Sequence, residues 1–188
     1  MLASATHGHA VALDTGLVAR ARRGDWEAFA ALIRQHDHGL RALAFRLLGD
    51  RERMDDALQE AYLRAMRGLP RFRGESAFGT WLYRIAYNAC LDELKRSRRA
   101  EVVPLHEVSE RLDARPDPLE TASRRDELAR ALAALPPPDR AAVLLVDAQG
   151  FDYGSAAEVL GVPEGTIASR LNRARAALRR ALEGAEPR

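Results

Sequence analysis

Apolar residues return at three- and four-residue intervals along most of this chain, which marks amphipathic helices rather than strands. After Asp25, a residue suited to an N-cap, Trp26, Phe29, Leu32 and Ile33 share one helical face, and Leu40, Leu43, Ala44 and Leu47 carry the same spacing from His36 to Leu48. Gly49-Asp50 supplies a stop and a new start. A second helix is expected over Met54–Leu69, with Leu58, Ala61, Tyr62, Ala65 and Leu69 inward and Pro70 as its end. A long one follows from about Phe78 to Arg98, with Leu82, Ile85, Ala86, Ala89 and Leu94 inward. Between Ser97 and Asp117 the period dissolves, and prolines at 104, 116 and 118 mark a linker. Helical spacing returns near Leu119, with Leu128, Ala131, Leu132 and Leu135 preceding Pro136-Pro137-Pro138; Asp139 is placed to cap a helix from Arg140 to about Ala148. Only the run Val143–Val146 suits a strand, and its flanking alanines favour helix.

The last two elements are separated by an abrupt break. Asp152 can cap a short helix reaching Leu160, and Gly161-Val162-Pro163 then turns the chain, glycine tolerating a left-handed backbone and proline suiting the start of the next helix. That helix buries Ile167, Leu171, Ala174, Leu178 and Leu182, while its other faces carry Ser169, Arg170, Asn172, Arg173, Arg175, Arg179 and Arg180. Two readings fit: a helical turn that closes a bundle with a solvated basic face, or a helix-turn-helix whose second helix enters the major groove. In the second reading Glu164, Thr166, Ser169, Arg170 and Arg173 are the candidates for base or nearby backbone contacts, and Arg175, Arg179 and Arg180 for phosphate contacts or simple solvation. The fold class is all-α: two small helical domains joined by a flexible linker, the C-terminal one a helix-turn-helix.

Composition narrows the function classes. With 188 residues and 47% apolar content the chain can bury a core, and its +2 net charge is the difference between 29 basic and 27 acidic residues, so the placement of charge matters more than the total. Lys95 is the only lysine; arginine, with its planar bidentate donors, carries nearly all the positive charge. A single cysteine, Cys90, excludes an internal disulfide and sits on an apolar-aromatic helix as a core residue rather than a nucleophile. His7, His9, His36, His38 and His106 form no metal-binding spacing, His36-Asp37-His38 reading instead as a solvated helix junction, and no phosphate-cradling glycine loop is present. The expectation is a non-enzymatic cytoplasmic protein without cofactor, metal or membrane span.

One further segment has a nucleic-acid texture. Phe78 to Asn88 mixes aromatics with Arg84 and leads to Lys95-Arg96-Ser97-Arg98-Arg99, so aromatic faces could stack on unpaired bases while basic groups follow the backbone; the competing reading puts Trp81 and its neighbours in the core. At these residues the chain resembles the extracytoplasmic-function (ECF) group of bacterial sigma factors, in the sigma-70 family. Asp55-Asp56-Ala57-Leu58-Gln59-Glu60 and the residues to Ala65 resemble the polymerase-binding helix, Phe72 to Asn88 the promoter-opening segment, and Leu135 to Leu182 the C-terminal helix-turn-helix.

The resemblance implies a tail over 1–14, a region 2-like domain over 15–99, a linker over 100–118 and a region 4-like domain over 119–184. It implies that Asp55, Asp56, Leu58, Gln59 and Glu60 face the clamp helices of the β′ subunit of core RNA polymerase. Arg73, Ser76, Phe78, Thr80, Trp81, Arg84, Asn88, Lys95 and Arg96 would engage the promoter element nearest the start site, Asn88 helping to hold a flipped base, at a cost of a few kcal/mol for extrusion. Glu164, Thr166, Ser169, Arg170, Arg173 and Arg175 would read the upstream element, and an anti-sigma protein is the further partner implied. A sigma factor is nucleoid-associated when bound to polymerase. Three departures from the family pattern, Ala168, Gly154 and Ala156, remove an expected basic contact and some packing from the helix-turn-helix. An ordinary helix-turn-helix regulator would account for Gly161 to Arg180 but leaves the acidic edge and the aromatic-basic segment without a shared purpose. A flexible linker permits the two blocks to pack together or stay apart.

Overall fold

The computed structural model describes residues 16–100 and 119–183, and among them every regular element is helical. The predicted tail over 1–14 and nearly all of the predicted linker lie outside the described residues. Element α1 covers 16–22; α2 runs Trp26–Leu48, α3 Arg51–Gly68 and α4 Phe78–Ala100, with a short 3-10 turn at Leu69–Arg71. Beyond the linker, α5 spans Leu119–Ala134, α6 Pro137–Val143, a wide π turn Leu144–Ala148, α7 Tyr153–Leu160 and α8 Glu164–Glu183.

Local chemistry accounts for the helix ends. The Asp25 carboxylate accepts the Ala28 N–H at 3.0 Å and Asp50 accepts that of Arg53 at 2.7 Å, each satisfying a donor that the first turn leaves open. Gly49 closes α2 in the left-handed region at φ 72°, where a side chain would be strained. His36-Asp37-His38 is not a junction: α2 passes through it unbroken, and the His36 ring packs against Phe78 and Tyr83 at 5.9 and 6.3 Å. Asp139 does not cap α6 either. Pro136 precedes that helix and Pro137 and Pro138 form its start, where their missing N–H groups cost nothing, so Asp139 lies inside the first turn. The period predicted a plain helix to Ala148, but the chain widens after Val143, and the Gln149 N–H reaches the Leu144 carbonyl at 3.0 Å. Leu128, expected inward, is exposed.

Helices α2, α3 and α4 pack as one layer and α5, α6, α7 and α8 as a second, and one continuous apolar core runs through both. Helix α4 is shared: one side meets α2 and α3, another receives α7. The Tyr83 hydroxyl on α4 donates to Gln149 Oε1 at 3.1 Å, and its ring lies 4.9 Å from that of Phe151. Arg140 adds a second tie. Its guanidinium donates to the Arg46 and Leu47 carbonyls at the end of α2, and to those of Ala133 and Leu135 at the end of α5. A cation set against the open carbonyls of two helix C-termini is favoured by hydrogen bonding and by both helix dipoles.

Candidate functional site

Three surfaces carry the residues singled out above. On α3 the inward stripe Met54, Leu58, Ala61 and Ala65 leaves Asp56, Gln59, Leu63 and Met66 on the outside, spaced by three, four and three residues. Leu58 is therefore buried in the core at 1% exposure and supports this face from beneath instead of presenting itself to a partner. Asp55 is exposed and paired with Arg41 at 2.7 Å, while Glu60 accepts from Arg64 at 2.8 Å, which also reaches Asp92 of α4 at 2.8 Å. Among the described residues no ion pair engages Asp56. Asp56, Gln59, Glu60 and Leu63 line an open cavity of about 520 Å³ with Arg64, Asp92, Lys95 and Arg96. Leu63 and Met66 are exposed at 37% and 40%, an apolar addition to the acidic edge that sequence reasoning missed; the outward spacing from Asp56 was the available signal.

The loop before α4 and the outer side of that helix form the second surface. Phe72, Phe78 and Trp81 are mutually packed with ring centroids 5.0–6.0 Å apart, so this aromatic group is built into the fold. Phe78 and Thr80 are buried at 3% and 6%, and neither is presented to a ligand, whereas Trp81 is half-buried. Gly79 permits the approach of α2, since a Cβ there would lie 2.8 Å from the His36 ring. Arg84, Asn88, Lys95 and Arg96 are exposed, and Trp81, Arg84, Asn88 and Lys95 follow one helical face. Arg73 is exposed in the loop beside Glu75, Ser76 is half-buried, and Arg96 pairs with Glu93 at 3.1 Å. The opposite side of α4 holds Tyr83, Tyr87 and Cys90, all buried; burial pushes the Tyr87 phenol up, an effect opposed by the nearby Arg170 guanidinium of α8.

The third surface is the helix-turn-helix. Asp152 caps α7 by accepting the Ser155 N–H at 2.7 Å. Gly161, at φ 63°, ends α7 with its N–H on the Ala157 carbonyl, and Val162 donates to the same carbonyl at 3.1 Å. Pro163 directly precedes α8, which buries Ile167, Leu171 and Ala174. Glu164 and Ser169 are exposed, Thr166 and Arg170 half-buried, and the Ser169 hydroxyl donates to the Thr166 carbonyl at 2.9 Å. Arg173 and Arg175 are both engaged within the protein: Arg173 forks onto Asp139 at 3.2 and 3.0 Å, and Arg175 onto Asp147 at 3.0 and 2.6 Å. Ala156 is fully buried, Ala168 is half-buried, and a Cβ at Gly154 would meet only Asp152, at 3.4 Å.

Among the described residues no cluster of His, Cys, Asp and Glu could hold a metal ion, and no helix is long and apolar enough to cross a membrane. What the chain presents is an acidic-apolar helix face, an aromatic-basic helix and a capped helix-turn-helix.

Comparison with known proteins finds two family regions in order along the chain. Residues 32–100 match the family Sigma-70 region 2, and residues 125–178 match Sigma-70, region 4. The ECF RNA polymerase sigma factor SigM of Mycobacterium tuberculosis (strain ATCC 25618 / H37Rv) is 44% identical over 90% of this chain and 84% of its own length. Two solved structures are similar in fold. One is CnrH in complex with the cytosolic domain of CnrY, at 26% identity and TM-score 0.71, covering 93% of this chain and 99% of that one. The other is the sigma factor RpoE in complex with the anti-sigma factor NepR from Bartonella quintana, at 26% identity and TM-score 0.68, covering 84% and 98%. Two regional matches in order, and close identity along nearly the whole of a relative, make this chain a member of the ECF RNA polymerase sigma factors of the sigma-70 family.

Proposed function

We propose that the chain joins core RNA polymerase through the outer face of α3 and carries it to promoters, where α4 engages the element nearest the start site and α8 the upstream one. The observation that carries this reading is the outward stripe Asp56, Gln59, Leu63 and Met66: carboxylate, amide and two exposed apolar side chains on one face. Such a face suits a basic, apolar-ribbed helical partner, the charge steering the encounter and the apolar side chains supplying burial. The clamp helices of the polymerase β′ subunit are the partner assigned. On α4, the exposed Arg84, Asn88, Lys95 and Arg96 and the half-buried Trp81 take up the opened strand, with Arg73 and Ser76 in the loop. On α8, Glu164, Thr166, Ser169 and Arg170 lie nearest the helix start, where base edges are reached. Leu58, Phe78 and Thr80 support these faces from the core. The domains assigned are region 2-like over 15–99 and region 4-like over 119–184, joined by 100–118.

An anti-sigma protein is the regulatory partner assigned, supported by the solved relative RpoE being held by the anti-sigma factor NepR. The test is transcription from genomic promoter fragments with purified core polymerase, with and without the chain. Defined new starts that disappear on D56A/Q59A, with helical content unchanged, support the reading. A chain that binds DNA alone and leaves polymerase starts unaltered would overturn it in favour of an ordinary regulator.

A further inference from the structure

Five arginines line α8 between positions 170 and 180, and the two nearest its middle are not free. Arg173 and Arg175 stand one residue to either side of Ala174, which is buried at 1% exposure, so they flank the apolar stripe of α8 on opposite sides. Arg173 presents Nε and Nη2 to the two oxygens of Asp139 in the first turn of α6. Arg175 presents the same pair of nitrogens to Asp147 in the π turn. The Tyr153 hydroxyl, on the first residue of α7, faces that same Arg175 guanidinium. Helix α6 and the π turn are thus tied to α8 through these two side chains.

The placement has a mechanical consequence. Asp139 and Asp147 are eight residues apart, about 12 Å along a helix, while their partners are two residues apart on opposite flanks of α8. Helix α6 and the π turn that follows it therefore hold α8 from its two flanks, which opposes rolling of α8 about its own axis. Isolated exposed ion pairs contribute little, but side-on bidentate forks are the geometry in which such pairs matter, and the Asp139 side chain is only 11% exposed.

We infer that Arg173 and Arg175 are positioning residues, which hold the reading helix at its working roll through Asp139 and Asp147, and that neither supplies a phosphate contact. This rests on the reading of α8 as the DNA-facing helix. It inverts the ordinary expectation for removing an acidic group near DNA. If the carboxylates merely compete with phosphate, neutralising them releases two arginines and tightens binding. If they hold the helix, neutralising them weakens binding.

The experiment uses the full chain and a duplex selected by it from a randomised pool, with affinity measured across a salt series. D139N and D147N are expected to weaken binding about fivefold or more, with the salt slope unchanged. R173Q should match D139N, and the double variant should be no worse than either single one. R175K should behave as R175Q, because an ammonium cannot reproduce the fork. Tighter binding by D139N or D147N, a salt slope lowered by about one in R173Q, or full binding by R175K would each overturn the assignment. A thermal-unfolding cycle on Asp139 and Arg173 reads the fork without DNA: non-additive losses are expected, and strictly additive ones overturn it. If the wild-type chain enriches no duplex, the DNA-reading assignment of α8 fails, and that cycle still decides the fork.

Discussion

Cys90 is fully buried, on the side of α4 that also carries Tyr83 and Tyr87. Burial disfavours its thiolate and pushes the group up from 9.0 to about 12, which leaves it packed and unreactive. Tyr83 is pushed up from 10.0 to about 12 for the same reason. The sign of the linkage is definite. Between pH 9 and 12 the unfolded chain loses the Cys90 proton while the folded chain keeps it, so the stabilisation present below pH 9 is lost as pH rises through that window. C90A should flatten the alkaline fall in stability by up to about 1.4 kcal/mol per pH unit. Chemical denaturation at several pH values across the window measures it. Equal slopes in the two proteins would mean that the fold does not hold the thiol neutral.

At the scale of the element, helix α7 depends on its two ends. D152A removes the acceptor for the Ser155 N–H and should cost about 1 kcal/mol, read as a lower denaturation midpoint with unchanged dependence on denaturant. Gly161 sits at φ 63°, so G161A should cost about 1 kcal/mol and G161N less, since asparagine tolerates that backbone. Equal costs for the two substitutions would place the loss elsewhere than in the turn. These caps were legible because they are local: an aspartate, a glycine and a proline act within a few residues of themselves. Asp139 was misassigned for the complementary reason. Two prolines already begin α6, and the carboxylate is taken up by Arg173, 34 residues away, a pairing that no short-range spacing encodes. The π turn was hidden because Leu144, Leu145 and Val146 continue the apolar run of the helix before it as an ordinary helix would. On the candidate faces, Leu58 was assigned to a partner although its period put it inward, and the exposure of Leu63 and Met66 followed from the same period unread. Phe78 looked like a nucleic-acid surface because aromatic side chains serve cores and stacking platforms equally well, and Thr80 looked like one because it is polar, although it is buried.

Across the whole molecule, the linker composition allowed the blocks to pack or separate, and the structure has them packed, with α7 against α4 and a core running through both. The contact tightens around Gly39. A mid-helix glycine costs α2 about 1 kcal/mol relative to alanine, so local preference alone calls for replacement. Yet a Cβ at Gly39 would overlap the Tyr83 hydroxyl and crowd the Gln149 side chain, the two groups whose hydrogen bond joins α4 to the segment before α7. The glycine is a local loss set against a long-range fit. G39A should therefore keep or raise helical content while separating the blocks, seen as a larger radius of gyration in solution scattering and a broader unfolding transition. Y83F forfeits one hydrogen bond, about 1 kcal/mol, and leaves the ring on Phe151, so it should remain closed. The combination G39A/Y83F distinguishes collision from general damage: with the hydroxyl gone the added methyl has only the flexible end of the Gln149 side chain to displace, and the double variant should be more compact than G39A alone. A double variant as expanded as G39A would mean that the hydroxyl is not what keeps position 39 bare.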